Sequence, residues 1–369
     1  MANPDLKWES TTQYNGGIDL GLFKERIILN ADYYMKKTTD MLLLAPVSSQ
    51  SGYNQQWKNI GRVDNKGLEL MLTTYNIDKK DFKWNTSVNF SLPRNEVVDL
   101  GPGVDFIPVT IYGGFFQNVG RVVKGESIGT AYGFVWDGIY QISDFTWQNN
   151  SDPTIAHDQR TYTLKPEVVR VAGSSVKPGS FKFRDLNGDN VVDDAKDRKV
   201  ISHSFPKHFG GINNNLTYKN FELGIFVDWS YGNEILNESR YLSEGTQGWM
   251  NLRKDFWDNR WTPDNPTNEY GTISAKNITS AFISSYYVED GSFIRLKNVN
   301  LAYNVPTGLI GKIGFSDVKI YLNGSNLYTF TNYSGFDPEI TFNNQLLPGF
   351  DRYSYPKART ITIGIQASF

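Results

Sequence analysis

The densest group of ligand-type side chains is the stretch DLNGDNVVDD at 185–194. Asp185, Asn187, Asp189 and Asp193 fall at positions 1, 3, 5 and 9 of a twelve-residue loop, with the Val191 carbonyl at position 7, and hard oxygen donors at that spacing suit Ca2+. Position 6 is Asn190 where such loops prefer Gly, although Asn enters the left-handed backbone region more readily than most residues. Position 12 is Lys196, so the bidentate acid has to come from Asp194 or Asp197. The competing reading is an acidic turn whose Asp and Asn side chains cap their own backbone. A bound ion here would stiffen a loop and take no part in catalysis.

Catalytic groupings are sparse. The three histidines, His157, His203 and His208, lack metal-ligand spacing such as HExxH, and there is no GxSxG elbow. With no cysteine in the chain, thiol nucleophiles, disulfides and Cys-ligated zinc are excluded. The neighbouring acids Glu289 and Asp290 would point to opposite faces of a strand and could not converge on one bond. The chain does not read as an enzyme. A second class of candidate is aromatic: Trp57, Trp147, Trp249, Trp257 and Trp261, with Trp136 nearby, fall in or near predicted loops. They could stack on glycan rings as a substrate platform; interfacial girdles and loop packing are the other uses of such residues.

The elements that must carry these loops are strands. In Phe82–Leu92, the residues Phe82, Trp84, Thr86, Val88, Phe90 and Leu92 share one face, and Lys83, Asn85, Ser87, Asn89 and Ser91 share the other. Phe221–Tyr231 and Arg26–Met35 repeat the pattern, and the final stretch alternates Ile361, Ile363, Ile365, Ala367 and Phe369 with polar or small residues. Alternation over ten or more positions exceeds the roughly 5–6 residues of an ordinary soluble strand and matches the roughly 9–11 that a tilted strand needs to cross a bilayer. Nine strands are predicted, at 10–22, 26–37, 66–77, 82–92, 211–219, 221–231, 292–305, 317–328 and 357–369. An even number more is expected between 93 and 210, with Ile128–Gln141 as one candidate. Short turns at 22–25, 77–81 and 218–221 alternate with long segments near 38–62, 93–126, 143–210, 232–285 and 329–356, an asymmetry found in outer-membrane barrels.

Composition is compatible with this. Aromatic residues make up 14% of the 369, and 33 glycines supply turns. Mean hydropathy is −0.43, which does not exclude a membrane, because a spanning strand is apolar at every second position only. No apolar run reaches the roughly 18 residues of a membrane helix, and the first residues lack the pattern of a signal peptide. A net charge of −2 gives no sign of nucleic-acid binding.

Several blocks in order resemble the C-terminal part of the SusC/RagA-type TonB-linked outer-membrane transporters of Bacteroidetes. They are NPDLKWESTTQYNGGIDLGLF (3–23), DYYMKKTTDMLL (32–43), NIGRVDNKGLEL (59–70), DLNGDNVVDD (185–194), FPKHFGGINNNLTYKNFEL (205–223), WSYGNEILN (229–237), RWTPDNP (260–266), EDGSFIRLKNVNLAYNVP (289–306), YLNGSNLYTFTNYSGFDPEI (321–340) and YSYPKARTITIGIQASF (353–369). The resemblance implies an all-β, antiparallel up-and-down transmembrane barrel spanning 1–369, about the C-terminal half, or roughly 10–12 strands, of a barrel of about 22, with the plug domain absent from this chain. It implies uptake of glycan fragments or peptides across the cell outer membrane, driven through TonB acting on the missing plug. It also implies a SusD-like surface lipoprotein as partner, outer-membrane lipid as surroundings, and assembly machinery that reads the last strand with Phe369 as its signal. Met1-Ala2 directly before Asn3-Pro4 suggests a truncated gene or an excised piece, unable to transport alone because a partial barrel has two unpaired edges. The alternative from another class is a secreted β-rich glycan-binding or adhesive protein, in which the apolar rows would pack inward.

Overall fold

A computed structural model describes the chain except residues 1–2, 49, 51, 54, 112–115, 117, 149–151, 153, 245–250, 274–281, 311–313 and 341–343. The long alternating stretches form one nine-stranded sheet. Its strands are β1 (Ser10–Leu22), β2 (Ile27–Thr39), β3 (Arg62–Asp78), β4 (Phe82–Asp99), β5 (His208–Tyr218), β6 (Phe221–Tyr231), β7 (Phe293–Asn304), β8 (Asp317–Thr331) and β9 (Thr360–Ser368). Neighbours in sequence order are neighbours in space, and every pairing is antiparallel. Each of the nine strands expected from alternation is present, most of them extended by a few residues at one end.

Register keeps the two faces apart across the sheet. Leu223, Ile225 and Trp229 of β6 stand opposite Leu301, Val299 and Ile294 of β7. Leu301 stands opposite Leu322 of β8, which stands opposite Ile363 of β9. No second layer covers these rows among the described residues: Ile361, Ile363 and Ile365 are 67%, 77% and 71% exposed. So much uncovered aliphatic surface is stable only against an apolar medium. Two aromatic belts border it. At the short-turn end Phe221 lies 4.7 Å from Tyr303 and Phe82 lies 6.4 Å from Tyr218. At the other end His208 stacks on Tyr231 at 4.9 Å and Tyr328 meets Phe330 at 4.5 Å. One polar side chain on this face, Asn214, has its carbonyl oxygen occupied by the Trp84 indole N–H at 3.1 Å and the Thr86 hydroxyl at 2.7 Å, which lowers the cost of facing hydrocarbon.

One end of the sheet is a row of tight turns. Lys219 takes the left-handed conformation (φ 51°) between β5 and β6, and its N–H donates to Asp81 O in the neighbouring turn at 2.8 Å. Asn220 accepts from Asn304 N at 2.9 Å and donates its side-chain amide to Asn304 O at 2.7 Å, so adjacent turns are laced together.

The other end is not a set of separate loops. Among the described residues the sheet has nine strands where ten to twelve were expected, with none added between 93 and 210: β4 pairs directly with β5, and the intervening chain leaves the sheet and returns. Ile128–Gln141 is not a spanning strand. The chain breaks at Val135 into Thr130–Phe134 and Trp136–Ile139, which belong to different small sheets; Gly129 (φ 87°) leads into the first and Gly138 (φ 103°) sits at a register shift in the second. Thr130–Phe134 joins Phe106–Thr110, Asn118–Val123 and Arg198–His203 in a four-stranded sheet, and Trp136–Ile139 pairs with Phe181–Phe183. Short helices at Glu238–Glu244 and Lys254–Asn259, absent from the sequence expectation, pack with them. Val97 of β4 and Phe116, Phe134, Phe183, Leu236, Tyr287, Leu347 and Phe350, drawn from the β4–β5, β6–β7 and β8–β9 connections, share one buried core. These segments form a cap on the end of the sheet opposite the tight turns.

The two faces predict opposite outcomes for adjacent substitutions. Ile363→Lys places a charge on the uncovered apolar face, at a cost of about 2–4 kcal/mol at mid-depth, and should sharply reduce outer-membrane insertion of the full-length protein, read by heat-modifiable gel mobility. Thr362→Lys, on the polar face opposite Asn323, should insert normally.

Candidate functional site

The polar face carries a cross-strand network. Glu222 of β6 accepts from Lys319 Nζ at 2.6 Å and from Asn304 Nδ2 at 2.7 Å; Asn298 and Asn323 meet at 3.2 Å, and Asn85 and Asn215 at 3.1 Å. Toward the cap this wall holds its most buried charge. The Arg295 guanidinium, on β7, donates to Thr329 Oγ1 at 2.9 Å, Glu339 Oε2 at 2.7 Å and Asp337 Oδ1 at 2.5 Å. Lys357 Nζ reaches Glu339 at 2.5 Å, and Lys297 Nζ reaches Asp228 at 2.5 Å and Glu339 at 3.9 Å. Three cations and three carboxylates therefore fasten the 332–359 segment to the inner side of the wall. Hydrogen bonds and opposite charges offset the desolvation of Arg295 only while every partner is in place.

A second charged cluster lies inside the cap. Arg240 Nε donates to Glu244 Oε1 at 2.6 Å, and the Tyr286 hydroxyl donates to Glu244 Oε2 at 2.6 Å. Burial, and then the adjacent Glu244 charge, push the Tyr286 hydroxyl far above its ordinary range, so it stays a neutral donor. These groups face protein on all sides and are structural.

The 185–197 loop is held by its own acids. Asp185 accepts the N–H groups of Asn187, Gly188 and Asn190 at 3.2, 2.7 and 2.6 Å, and Asn190 takes the left-handed conformation its position requires (φ 66°). Asp193 accepts from the Ala195 and Lys196 amides at 2.8 and 2.9 Å. Asp197, fully buried, bridges the Leu186 and Asp193 amides at 2.8 Å each. Asp194 turns outward toward Arg198 at 3.8 Å. Neither Asp194 nor Asp197 thus takes the place of the bidentate acid. Lys196 instead sets its ammonium 2.9 Å from Asp189 and 3.7 Å from Asp193. The hydrogen bond from Lys196 holds the Asp189 carboxyl below its usual range. Among the described residues no three acids or histidines are grouped as a metal set. The Val191 carbonyl stays in the loop, on a two-residue strand paired with Arg170–Val171.

The tryptophans are dispersed. Trp57 is exposed on the Gln55–Asn59 strand, and Trp257 is exposed with the Arg260 guanidinium 4.0 Å above its ring. Trp261 is only 5% exposed and donates its indole N–H to Gln141 Oε1 at 2.9 Å, so it offers a floor more than a stacking face. Trp147 is half-buried, with Arg160 4.6 Å over its ring and Tyr162 6.1 Å away. Trp249 lies outside the described residues. Sequence reasoning had no signal for Arg160, His157 and Tyr162, which join Trp147 only through folding of the cap. Phe369, 93% exposed, follows β9 at the short-turn end, 5.6 Å from Phe315.

The family model described as TonB dependent receptor-like, beta-barrel matches residues 1–327. A TonB-dependent receptor of Formosa agariphila is 37% identical, the match covering all of this chain and 35% of the relative. The TonB-dependent receptor SusC of Bacteroides thetaiotaomicron is 25% identical, covering all of this chain and 32% of that protein. Among solved structures, the RagAB peptide transporter superposes with a TM-score of 0.72 at 26% identity, over all of this chain and 36% of the other. The chain spans about a third of the length of the relatives it matches.

Two outcomes follow from the charge networks. Arg295→Met should destabilise the full-length protein by about 3–5 kcal/mol and expose the 332–359 segment to protease, because Asp337 is left without its cation while Glu339 keeps only its lysines. Combining it with Asp337→Leu should recover part of the loss in the same unfolding assay. Asp197→Asn, which replaces one of the two accepting oxygens with an N–H₂ set against a backbone donor, should cost about 1–3 kcal/mol locally and speed hydrogen exchange at Leu186 or Asp193.

Proposed function

The chain belongs to the TonB dependent receptor-like β-barrel family, and from that premise we propose that it forms part of the wall and external cap of an outer-membrane importer for glycan fragments or peptides. The observation that carries this is the uncovered aliphatic face of the sheet, backed by a continuous polar face that pairs with itself and with the cap. Such a wall suits hydrocarbon on one side and an aqueous passage on the other. A secreted adhesive β-protein would need those rows buried against a second layer, and none covers them among the described residues.

In this reading the wall does no chemistry. Its polar side chains line a path, while energy comes from TonB acting on a plug supplied by the remainder of the importer. A SusD-like surface lipoprotein would close over the cap, and barrel-assembly machinery would engage β9 with Phe369 as part of the recognised edge. Support for these partners is the family relationship and the named relatives. Calcium in the 185–197 loop is supported by the Asp185–Asn187–Asp189–Val191–Asp193 spacing alone, and a Ca2+ ion would have to displace the Lys196 ammonium from Asp189.

The importer reading is tested by fractionating cells that express the full-length protein. It should sediment with the outer membrane and need detergent for release, and uptake of its cargo should stop when TonB is deleted. Recovery as a monodisperse soluble protein would end this reading. Calorimetric titration with Ca2+ should show tighter binding in Lys196→Gln than in the parent, and no heat in either closes the calcium proposal.

A further inference from the structure

Beside Trp147 and Trp261 the cap holds a cleft of about 380 Å³, within the size range of small-ligand sites. His157, Arg160, Tyr162, Lys177, Trp261 and Thr272 line it, with Asp158. Arg160 is half-buried and fixed on three sides. Its Nε donates to Ile155 O at 2.9 Å, its Nη1 donates to His157 Nδ1 at 3.1 Å, and its plane lies 4.6 Å over the Trp147 ring. An arginine N–H can only donate, so His157 Nδ1 must accept. That makes the imidazole neutral and leaves its remaining proton on Nε2. The Tyr162 hydroxyl, 2.8 Å from the same Nδ1, keeps the ring in place.

This leaves Arg160 Nη2 with no acceptor among the described residues. Lys177 Nζ likewise meets no carboxylate among them, although both line the same cleft. Elsewhere in the cap Arg240, Arg253 and Arg352 each sit beside an acid. Asp158 lines the cleft from an exposed turn and Asp152 lies close enough to feel the Arg160 charge, but among the described residues neither forms an ion pair with Arg160 or Lys177. The floor is close-packed: Gly179 adopts φ 89°, and a Cβ there would stand 2.7 Å from the Trp261 ring and 2.5 Å from Thr272.

We propose that this cleft binds the anionic group, carboxylate or sulfate, of a small acidic ligand. Arg160 and Lys177 hold the charge, His157 Nε2–H donates to it, and the Tyr162 and Trp261 rings and Thr272 receive the adjoining skeleton. A guanidinium already immobilised on an indole loses little further freedom when it binds an oxyanion. That this ligand is cargo rests on the importer reading; that it binds does not.

The test uses the full-length protein purified in detergent, by calorimetry, with two matched pairs of probes: trigalacturonate against a neutral trisaccharide, and a tripeptide against its C-terminal amide. At least one acidic member should bind about tenfold or more tighter than its neutral partner, with affinity falling as salt rises. The pair that responds identifies the source of the anion as sugar or peptide. Arg160→Gln should weaken that binding about tenfold, and Lys177→Gln, at an exposed side chain outside the buried core, about threefold. Equal affinity for charged and neutral probes, no binding by either acidic probe at millimolar concentration, or unchanged affinity in Lys177→Gln would each overturn the proposal. Since membrane fractionation reads the importer assignment separately, failure of one leaves the other standing.

Discussion

The organising constraint is that a sheet with an uncovered apolar face must satisfy every backbone N–H and C=O within itself, because a hydrocarbon neighbour offers no partner. Eight antiparallel pairings in sequence order meet that demand everywhere but along the outer edges of β1 and β9, with short connections on one side. Once the ladder is in place, period-two geometry dictates the rest. Residues such as Leu223, Leu301, Leu322 and Ile363 form an outward row, and their neighbours turn inward, where Glu222, Lys319 and the asparagines can pair. A slip of one residue between any two strands would put Glu222 or Lys319 on the apolar side, so the faces and the register fix each other.

The long external segments obey a different rule. They carry polar connections and short strands, yet they bury Phe116, Phe183, Tyr287, Leu347 and Phe350 in a shared core, as a soluble domain does. The two regimes meet at Arg295. This residue belongs to a spanning strand, while its acids belong to the segment between β8 and β9, so the six-charge cluster is the rivet between wall and cap. A cap built from segments far apart in sequence can present rigid concave surfaces, as at the Arg160 cleft, that separate flexible loops would not hold.

Legibility from sequence divided along the same line. All nine spanning strands could be read, because ten or more alternating positions leave no other periodicity to compete. The cap could not. Its strands run two to six residues, too short for periodicity, and its pairings join residues such as Phe134 and Ser284 across long spans of chain. For that reason Ile128–Gln141 read as a single strand, although it breaks at Val135 into two short strands of different sheets. In the 185–197 loop the spacing of acids was legible, but the ammonium of Lys196 folding back between Asp189 and Asp193 was not, since that depends on one side chain's direction. Trp261 was legible as a loop aromatic, with a stacking platform and loop packing both open; that its ring is buried depends on tertiary packing the sequence does not show.

Strand parity has a consequence for completing this wall. Nine alternating strands leave β1 and β9 pointing the same way, so hydrogen-bonding one margin to the other would impose a parallel seam. Two copies inserted with the same polarity meet the identical mismatch at both joins. A closed cylinder of uniformly alternating strands therefore demands an odd complement of spanning segments from elsewhere, and symmetry between like halves cannot provide it.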